Sequence, residues 1–320
     1  MGALLGVALG DAMGMPGQTL SRAMIAQHYG RIVDFVAPYQ GHPVSHGLLA
    51  AQVTDDTEQT LLLAGLIAGG RFTAEIWAHA LLDWEAGVTA RGLQDLLGPS
   101  SKRALQALLT GVSVDLAGRE GTTNGAAMRI APVGIAVPVE PLGALVDAVE
   151  ATCRVTHNTA EAIAAAAAVA AVVSAGVDGA GFEQALPLAL AAAVEGGRRG
   201  YLQGAQDIAG RISAALELAA RGVTPDVFAD AVGTSVASFA SVPAAFGIAR
   251  MAGGDPWRAA VISANIGDDT DTIGAISCGM TGACAGRAAM PADRVAVLLA
   301  ANGLELGPLV AGLLARRGGR

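Results

Sequence analysis

Apolar positions along most of the chain recur at the three- and four-residue spacing of a helix, and strand-like alternation of β-branched or aromatic residues is scarce. The spacing predicts helices over about 56–69, 73–86, 101–111, 142–152, 158–175, 182–194, 205–221, 225–238, 242–252, 256–265, 272–286, 291–301 and 306–316. A glycine-interrupted helix fits residues 1–13. Gly69-Gly70, Gly98-Pro99, Gly118 to Gly121, Gly196-Gly197 and Gly253-Gly254 punctuate the pattern. From Ile32 to Gln52, with Pro38, Gly41, Pro43 and Gly47, no period holds. That stretch is predicted to be a long irregular loop, a kind often functional in compact domains. Without a linker or a fixed repeat, the expectation is one all-α domain over residues 1–320.

Composition refines this picture. With 43 Gly and 4% aromatic residues, helix axes can approach closely. Small residues recur through Gly274-Ala275-Ile276-Ser277-Cys278-Gly279-Met280-Thr281-Gly282. A helical Gly costs up to about 1 kcal/mol relative to Ala, so tight packing at the bundle centre must offset it. Ala162 to Val177 is uncharged but Ala-dominated and short for a membrane span, so it reads as a central buried helix. Met1 to Leu9 lacks a basic start and runs into Asp11, unlike a signal peptide. A net charge of −8 with no Lys/Arg stripe argues against nucleic acid as a partner. Arg316, Arg317 and Arg320 are expected to be solvated at a frayed end. Cys153, Cys278 and Cys284 lack ligand spacing and read as buried free thiols, which implies a reducing cytoplasm.

Against this apolar background the acids are concentrated. Thr54-Asp55-Asp56-Thr57 and Asp268-Asp269-Thr270-Asp271-Thr272 each sit where a loop enters a helix, in a chain with only 15% charged residues. One reading is capping, in which the Thr and Asp oxygens accept from unpaired N–H groups. The other is a ligand set. If Asp55, Asp56, Asp269 and Asp271 converge, carboxylates about 5 Å apart repel by roughly 3 kcal/mol per pair at an effective dielectric of about 20. Such a group must take up protons or cations. All-oxygen ligands favour Mg²⁺ or Mn²⁺, and two divalent ions would neutralise the set.

Other polar residues leave two readings each. Thr122-Thr123-Asn124-Gly125 opens a helix whose N–H groups suit a phosphate or a ribose hydroxyl, or it is an Asn-Gly turn. His157 is a ligand contact or a helix-start residue without chemistry. Asp11, alone in an apolar segment, needs a partner if buried. His28, His42, His46 and His79 lack zinc spacing and read as surface or loop residues. The chain has no Gly-x-Ser-x-Gly elbow, Walker loop or dinucleotide fingerprint, so serine hydrolysis and hydride transfer drop out.

Taken in order, Gly10-Asp11-Ala12-Met13-Gly14, Thr54-Asp55-Asp56-Thr57, Thr123-Asn124-Gly125-Ala126-Ala127-Met128-Arg129, Thr156-His157, Ser241-Val242-Pro243 and Asp269-Thr270-Asp271-Thr272-Ile273-Gly274 resemble the motifs of the ADP-ribosylglycohydrolase family over nearly the whole length. The resemblance implies an all-α fold with two Mg²⁺ or Mn²⁺ ions on residues matching Thr54, Asp55, Asp56, Asp269, Asp271 and Thr272. It further implies hydrolysis of a ribosyl bond, with Asp55 and Asp56 as the catalytic pair and Asp56 as the candidate base. Asp11, Gln18, Thr123, Asn124, Gly125 and His157 are the implied substrate contacts. Gln18 stands where family members commonly have Glu, and an amide can bind but not shuttle a proton. Asp268 stands where many have Gly. Leu97-Gly98-Pro99-Ser100-Ser101 and Met13-Gly14-Met15-Pro16 look more like bacterial relatives of undefined substrate than like the arginine- or serine-directed enzymes.

The expected substrate is an ADP-ribosylated side chain or a related ADP-ribosyl compound. The alternatives are a nucleoside or other small ribosyl compound on the same site, or a family member that kept the fold without catalysis. Tyr39, Phe239 and Phe246 are the candidates for adenine stacking, with core packing the favoured reading for the two Phe residues. A monomer or small homo-oligomer is expected.

Overall fold

The helix Gly2–Gly14 lies antiparallel against the helix Thr270–Ala285 so closely that a methyl group could not fit between them. A Cβ added at Gly2, Gly6, Gly10 or Gly14 would fall on the backbone of Gly282, Cys278, Gly274 or Thr270, and Gly274 and Gly282 face the first helix in the same way. The glycines of the first helix repeat every four residues, which puts them on one face. Every residue of Gly2–Gly14 is buried, so a helix with no polar face is covered on all sides.

The computed structural model describes residues 1–93, 97–204 and 206–319. Among the described residues it holds helices and three isolated β-bridges but no sheet, as the absence of strand patterning predicts. The central helix is Ala160–Val177, buried from Ala160 to Gly176. It is the one helix among the described residues long and apolar enough by itself to cross a membrane, but 89% of that window is packed inside the protein. It packs on Phe182–Gly196, Thr270–Ala285 and the short helix Ala131–Ala136, and its small side chains allow neighbours on every side.

Most predicted helices are present with ends shifted by a few residues, for example Asp55–Ala68, Ala74–Ala90, Pro99–Leu109 and Leu306–Gly318. The helix predicted over 205–221 runs Ile208–Ala220, and residue 205 lies outside the described residues. Two differences stand out. Arg22–Tyr29 is helical although only Ile25 is buried, so it has no apolar stripe to reveal it; Ser21 caps its start by accepting from the Met24 N–H at 3.2 Å. The predicted helix 225–238 stops at Val232, because Gly233 turns the chain with φ +87°, and a new helix starts at Ser238. Between them the chain runs beside the Thr122–Asn124 turn: the Asn124 N–H donates to the Val236 carbonyl at 2.9 Å, and the Ser238 N–H to Thr122 at 3.0 Å.

Arg317 is not frayed. Its side chain is 10% exposed and pairs with Asp178. Nη1 donates to the carbonyls of Gly134, Ile135 and Val137, capping the helix Ala131–Ala136 and docking the last helix. Arg320 lies outside the described residues.

The glycine stripe sets opposite signs for the same substitution. Gly10→Ala pushes a methyl group into the Gly274 carbonyl and is expected to lower stability by about 1–3 kcal/mol. Gly87→Ala, at an exposed helical position with nothing within 4 Å of the new methyl, is expected to raise it by up to about 1 kcal/mol. Thermal unfolding of both variants checks this.

Candidate metal centre

Packing the first helix against Thr270–Ala285 puts Asp11, next to Gly10, beside Asp271, which follows Thr270. The loop Gly30 to Thr54 then delivers the helix Asp55–Ala68 to the same place. One carboxylate oxygen from each of Asp11, Asp56 and Asp271 lies within 4.8 Å of the other two. Asp55 and Asp269 complete the cluster, and all five carboxylates are buried, none more than 9% exposed. Residues more than two hundred positions apart thus share one site.

Neither helix start is capped by its own side chain. The Thr54 hydroxyl donates to Asp11 Oδ1 at 2.8 Å, and Asp11 also accepts from the Thr54 and Thr57 N–H groups and the Thr57 hydroxyl. Asp11 thereby fixes the first turn of the helix that carries Asp55 and Asp56. It is fully buried within the acidic cluster and does not line the cavity, where the sequence suggested a substrate contact.

The electrostatics are those of a site built for cations. Burial pushes the Asp11 carboxyl up to about 6 despite its hydrogen bonds. Burial also raises Asp269 to about 6, against the Asn124 hydrogen bond. Burial first, and then neighbouring aspartates, drive Asp55, Asp56 and Asp271 well above the ordinary carboxylate range. Asp56 Oδ1 is buried with no hydrogen-bond partner among the described residues. A cation with oxygen ligands at about 2.0–2.6 Å spans ligand pairs of about 3–5 Å. The orphaned oxygen and the grouping of Asp11, Asp56 and Asp271 therefore fit a divalent ion.

A cavity of about 150 Å³ adjoins the cluster. Asp55, Asp269, Asp271 and Thr272 line one side, and Gln18, Ser101, Thr123, Asn124 and Gly125 supply polar lining elsewhere. Asp56, the base suggested by the sequence, is 1% exposed and does not line the cavity, whereas Asp55 does. Asp55 Oδ2 accepts from Gln59 Nε2 at 3.0 Å, and Gln59 Oε1 accepts from the buried Arg129. Asn124 donates to Asp269 and to the Ser241 hydroxyl. Asp268 is exposed and turns away; its backbone pairs with Thr19 and Leu20, joining the early and late loops. Thr19 and Asp268 both hold positive φ, +64° and +67°, a conformation that costs about 1–3 kcal/mol per residue and clusters at functional sites.

His157 also lies behind the cavity wall, fully buried against Gly125. Its role follows from hydrogen-bond direction. Arg129 can only donate: it donates to Thr156 Oγ1 and also faces His157 Nδ1 at 3.5 Å, so Nδ1 carries no proton and accepts from the Thr156 hydroxyl at 2.7 Å. His157 Nε2–H then donates to Thr123 Oγ1 at 2.9 Å, leaving the Thr123 hydroxyl proton free for the cavity. Gln59 and Arg129 had signals in the sequence. Gln59 is four residues after Asp55 on one helix face, and Arg129 is the lone charge between Gly121 and Val139.

The proposed stacking residues are occupied elsewhere. Tyr39 stacks on His28 with ring centroids 3.7 Å apart, Phe246 is buried against Phe182, and Phe239 lies under Arg211. Among the described residues no aromatic side chain lines the cavity.

The chain is 32% identical to an uncharacterised Escherichia coli protein, YegU, over 95% of this chain and 93% of that one. It is 35% identical to an uncharacterised Archaeoglobus fulgidus protein over 88% and 85% of the two lengths. A Rhodospirillum rubrum ADP-ribosyl-[dinitrogen reductase] glycohydrolase is 30% identical over 49% of this chain and 51% of its own. Among solved structures, an ADP-ribosylglycohydrolase-related protein complex superposes with a TM-score of 0.68 at 26% identity, covering 98% of this chain and 95% of that one. The family model of the ADP-ribosylglycohydrolases matches residues 1–319, and with the all-α fold this places the chain in that family of hydrolases.

Proposed function

We propose that this protein hydrolyses the ribosyl bond of an ADP-ribosylated side chain or a related ADP-ribosyl compound with the help of two divalent cations. The meeting of buried carboxylates from three distant segments beside one polar cavity carries this reading. Thr54, Asp55, Asp56, Asp269, Asp271 and Thr272, joined by Asp11, would hold Mg²⁺ or Mn²⁺. When bound, the ions neutralise the cluster and lower the pKa of the attacking water.

The chain's own residues do the rest. Asp55 faces the cavity with Oδ2 held by Gln59, which leaves Oδ1 to take a proton from water. The water oxygen bonds to the anomeric carbon as the bond to the side-chain nitrogen or oxygen breaks, and the leaving atom regains a proton. Nearby carboxylates stabilise the positive charge that develops on the ribose ring. Thr123 offers a donor oriented by His157, and the Ser101 hydroxyl lies on the same cavity.

One observation favours a second reading. The cavity of about 150 Å³ is smaller than the roughly 300–1,000 Å³ usual for ligand sites, and it lacks an aromatic wall. A nucleoside or other small ribosyl compound would fill it without adenine stacking. Incubation with ADP-ribosyl-arginine and ADP-ribosyl-serine peptides, alongside free nucleosides, in Mg²⁺ or Mn²⁺ separates the two. Released ADP-ribose supports the first reading, and cleavage of nucleosides alone overturns it.

Two further outcomes are expected. Asp271→Ala should abolish Mn²⁺ binding in calorimetry, whereas Asp55→Asn should lower kcat on the responsive substrate by about 10²–10⁴-fold; full activity in Asp55→Asn would remove it from proton transfer. The second concerns pH. Because Asp11 and Asp269 titrate near 6 when folded and near 4 when unfolded, the folded state binds more protons between these values. The stability of the metal-free protein should therefore be greatest below about pH 4 and fall as pH rises through about 6. Added Mg²⁺ or Mn²⁺ should raise Tm more at pH 7 than at pH 5. A flat profile in chelator would refute the raised Asp11 and Asp269 carboxyls and the burial that raises them.

A further inference from the structure

Gln18 sits on the cavity wall, 7% exposed, and its amide can be oriented from the groups behind it. Gln18 Nε2 lies 2.7 Å from Ser45 Oγ, and Ser45 Oγ lies 3.0 Å from the Met15 carbonyl oxygen. A carbonyl can only accept, so the single serine proton goes to Met15. Ser45 must then accept from Gln18, which fixes the NH₂ end of the amide toward Ser45. Gln18 Oε1 has no hydrogen-bond partner among the described residues and is left for the cavity.

The support behind Ser45 is equally directional. His42 is a loop histidine, as its spacing suggested, but not a surface one: it is 2% exposed, and its Nδ1 accepts from the N–H groups of Val44 at 3.2 Å and Ser45 at 2.8 Å. Only a neutral ring with a free Nδ1 lone pair can do this, and burial brings His42 down to about 4. Its Nε2 is buried without a hydrogen-bond partner among the described residues. The bonds of Ser45 to Met15 and Gln18 pin the irregular loop to the turn that carries Gln18, and Ser45, fully buried, is out of reach of substrate.

We propose that Gln18 is a specificity-determining residue, a neutral acceptor held in one orientation by the positioning residue Ser45, which selects a hydroxyl donor on the substrate and disfavours an anionic group. This rests on the ribosyl-hydrolase reading for the identity of the ligand, where a ribose hydroxyl is the natural donor. A carboxylate at position 18 would have nothing to donate to Ser45. The serine proton would have to turn away from Met15 and leave that buried carbonyl with only the long 3.4 Å hydrogen bond from the Gln18 N–H.

Two measurements on the full chain test this. The first needs no ligand: in a thermal-unfolding cycle, Gln18→Glu should lower Tm in the wild-type background and clearly less in Ser45→Ala. Equal shifts in both backgrounds overturn the assigned orientation. The second is calorimetric titration with ADP-ribose in Mn²⁺. Ser45→Ala and Gln18→Met should each raise Kd about tenfold, the loss of one well-placed hydrogen bond, with Mn²⁺ affinity unchanged. Ser45→Thr, which keeps the hydroxyl, should restore Kd. Wild-type affinity in both Ser45→Ala and Gln18→Met overturns the proposal while leaving the ribosyl reading intact. Failure of the wild type to bind ADP-ribose overturns the functional reading, and the orientation then stands or falls on the unfolding cycle.

Discussion

Backbone contact between the helices Gly2–Gly14 and Thr270–Ala285 is the constraint on which the site depends. The absence of side chains at Gly2, Gly6, Gly10 and Gly14 lets the two helices touch through their carbonyls, and the Thr270 hydroxyl closes the end by donating to the Gly14 carbonyl at 2.7 Å. Asp11 and Asp271 are adjacent to these contacts. Separating the axes by the width of a methyl group would move the two carboxylates apart by a similar amount, and ligands about 2 Å from a cation do not tolerate such a change.

Bringing these acids together is unfavourable without compensation, and the surroundings supply part of it. Asp11 collects N–H and hydroxyl donors from Thr54 and Thr57. Asp55 receives Gln59, which is itself held by Arg129, a buried cation with no carboxylate in direct contact and with its guanidinium 5.4 Å from the Trp77 ring centre. Burial brings the Arg129 guanidinium down to about 10, so it keeps its charge at neutral pH. One buried positive charge against five carboxylates leaves a deficit that divalent ions can fill. The same arginine sends a second chain through Thr156 and His157 to Thr123, so the charge on one side of the cavity sets hydrogen-bond direction on the other.

Much of this was legible in the chain. The apolar spacing marks the long helices, the small residues of Gly274 to Gly282 mark a close contact, and the two Thr/Asp clusters stand out because acids are otherwise sparse. What was illegible has a common cause. Arg22–Tyr29 carries no apolar stripe, and the break at Gly233 is set by the chain's passage beside Thr122–Asn124. His42, Ser45 and Arg317 look like surface residues because their partners are backbone carbonyls and N–H groups, which every residue type supplies equally.

The sequence by itself therefore determined the helical class, the family motifs and the residue types able to bind hard cations, because periodicity and local clustering are properties of neighbouring positions. Only the tertiary structure decided which of those residues meet and which way their hydrogen bonds run. It placed Asp11 in the acidic cluster, put Asp55 rather than Asp56 on the cavity, set His157 behind Thr123 and turned Gln18 outward. Each of these depends on long-range packing and on burial, where a polar group must find a partner of the right polarity, and no local pattern specifies that partner.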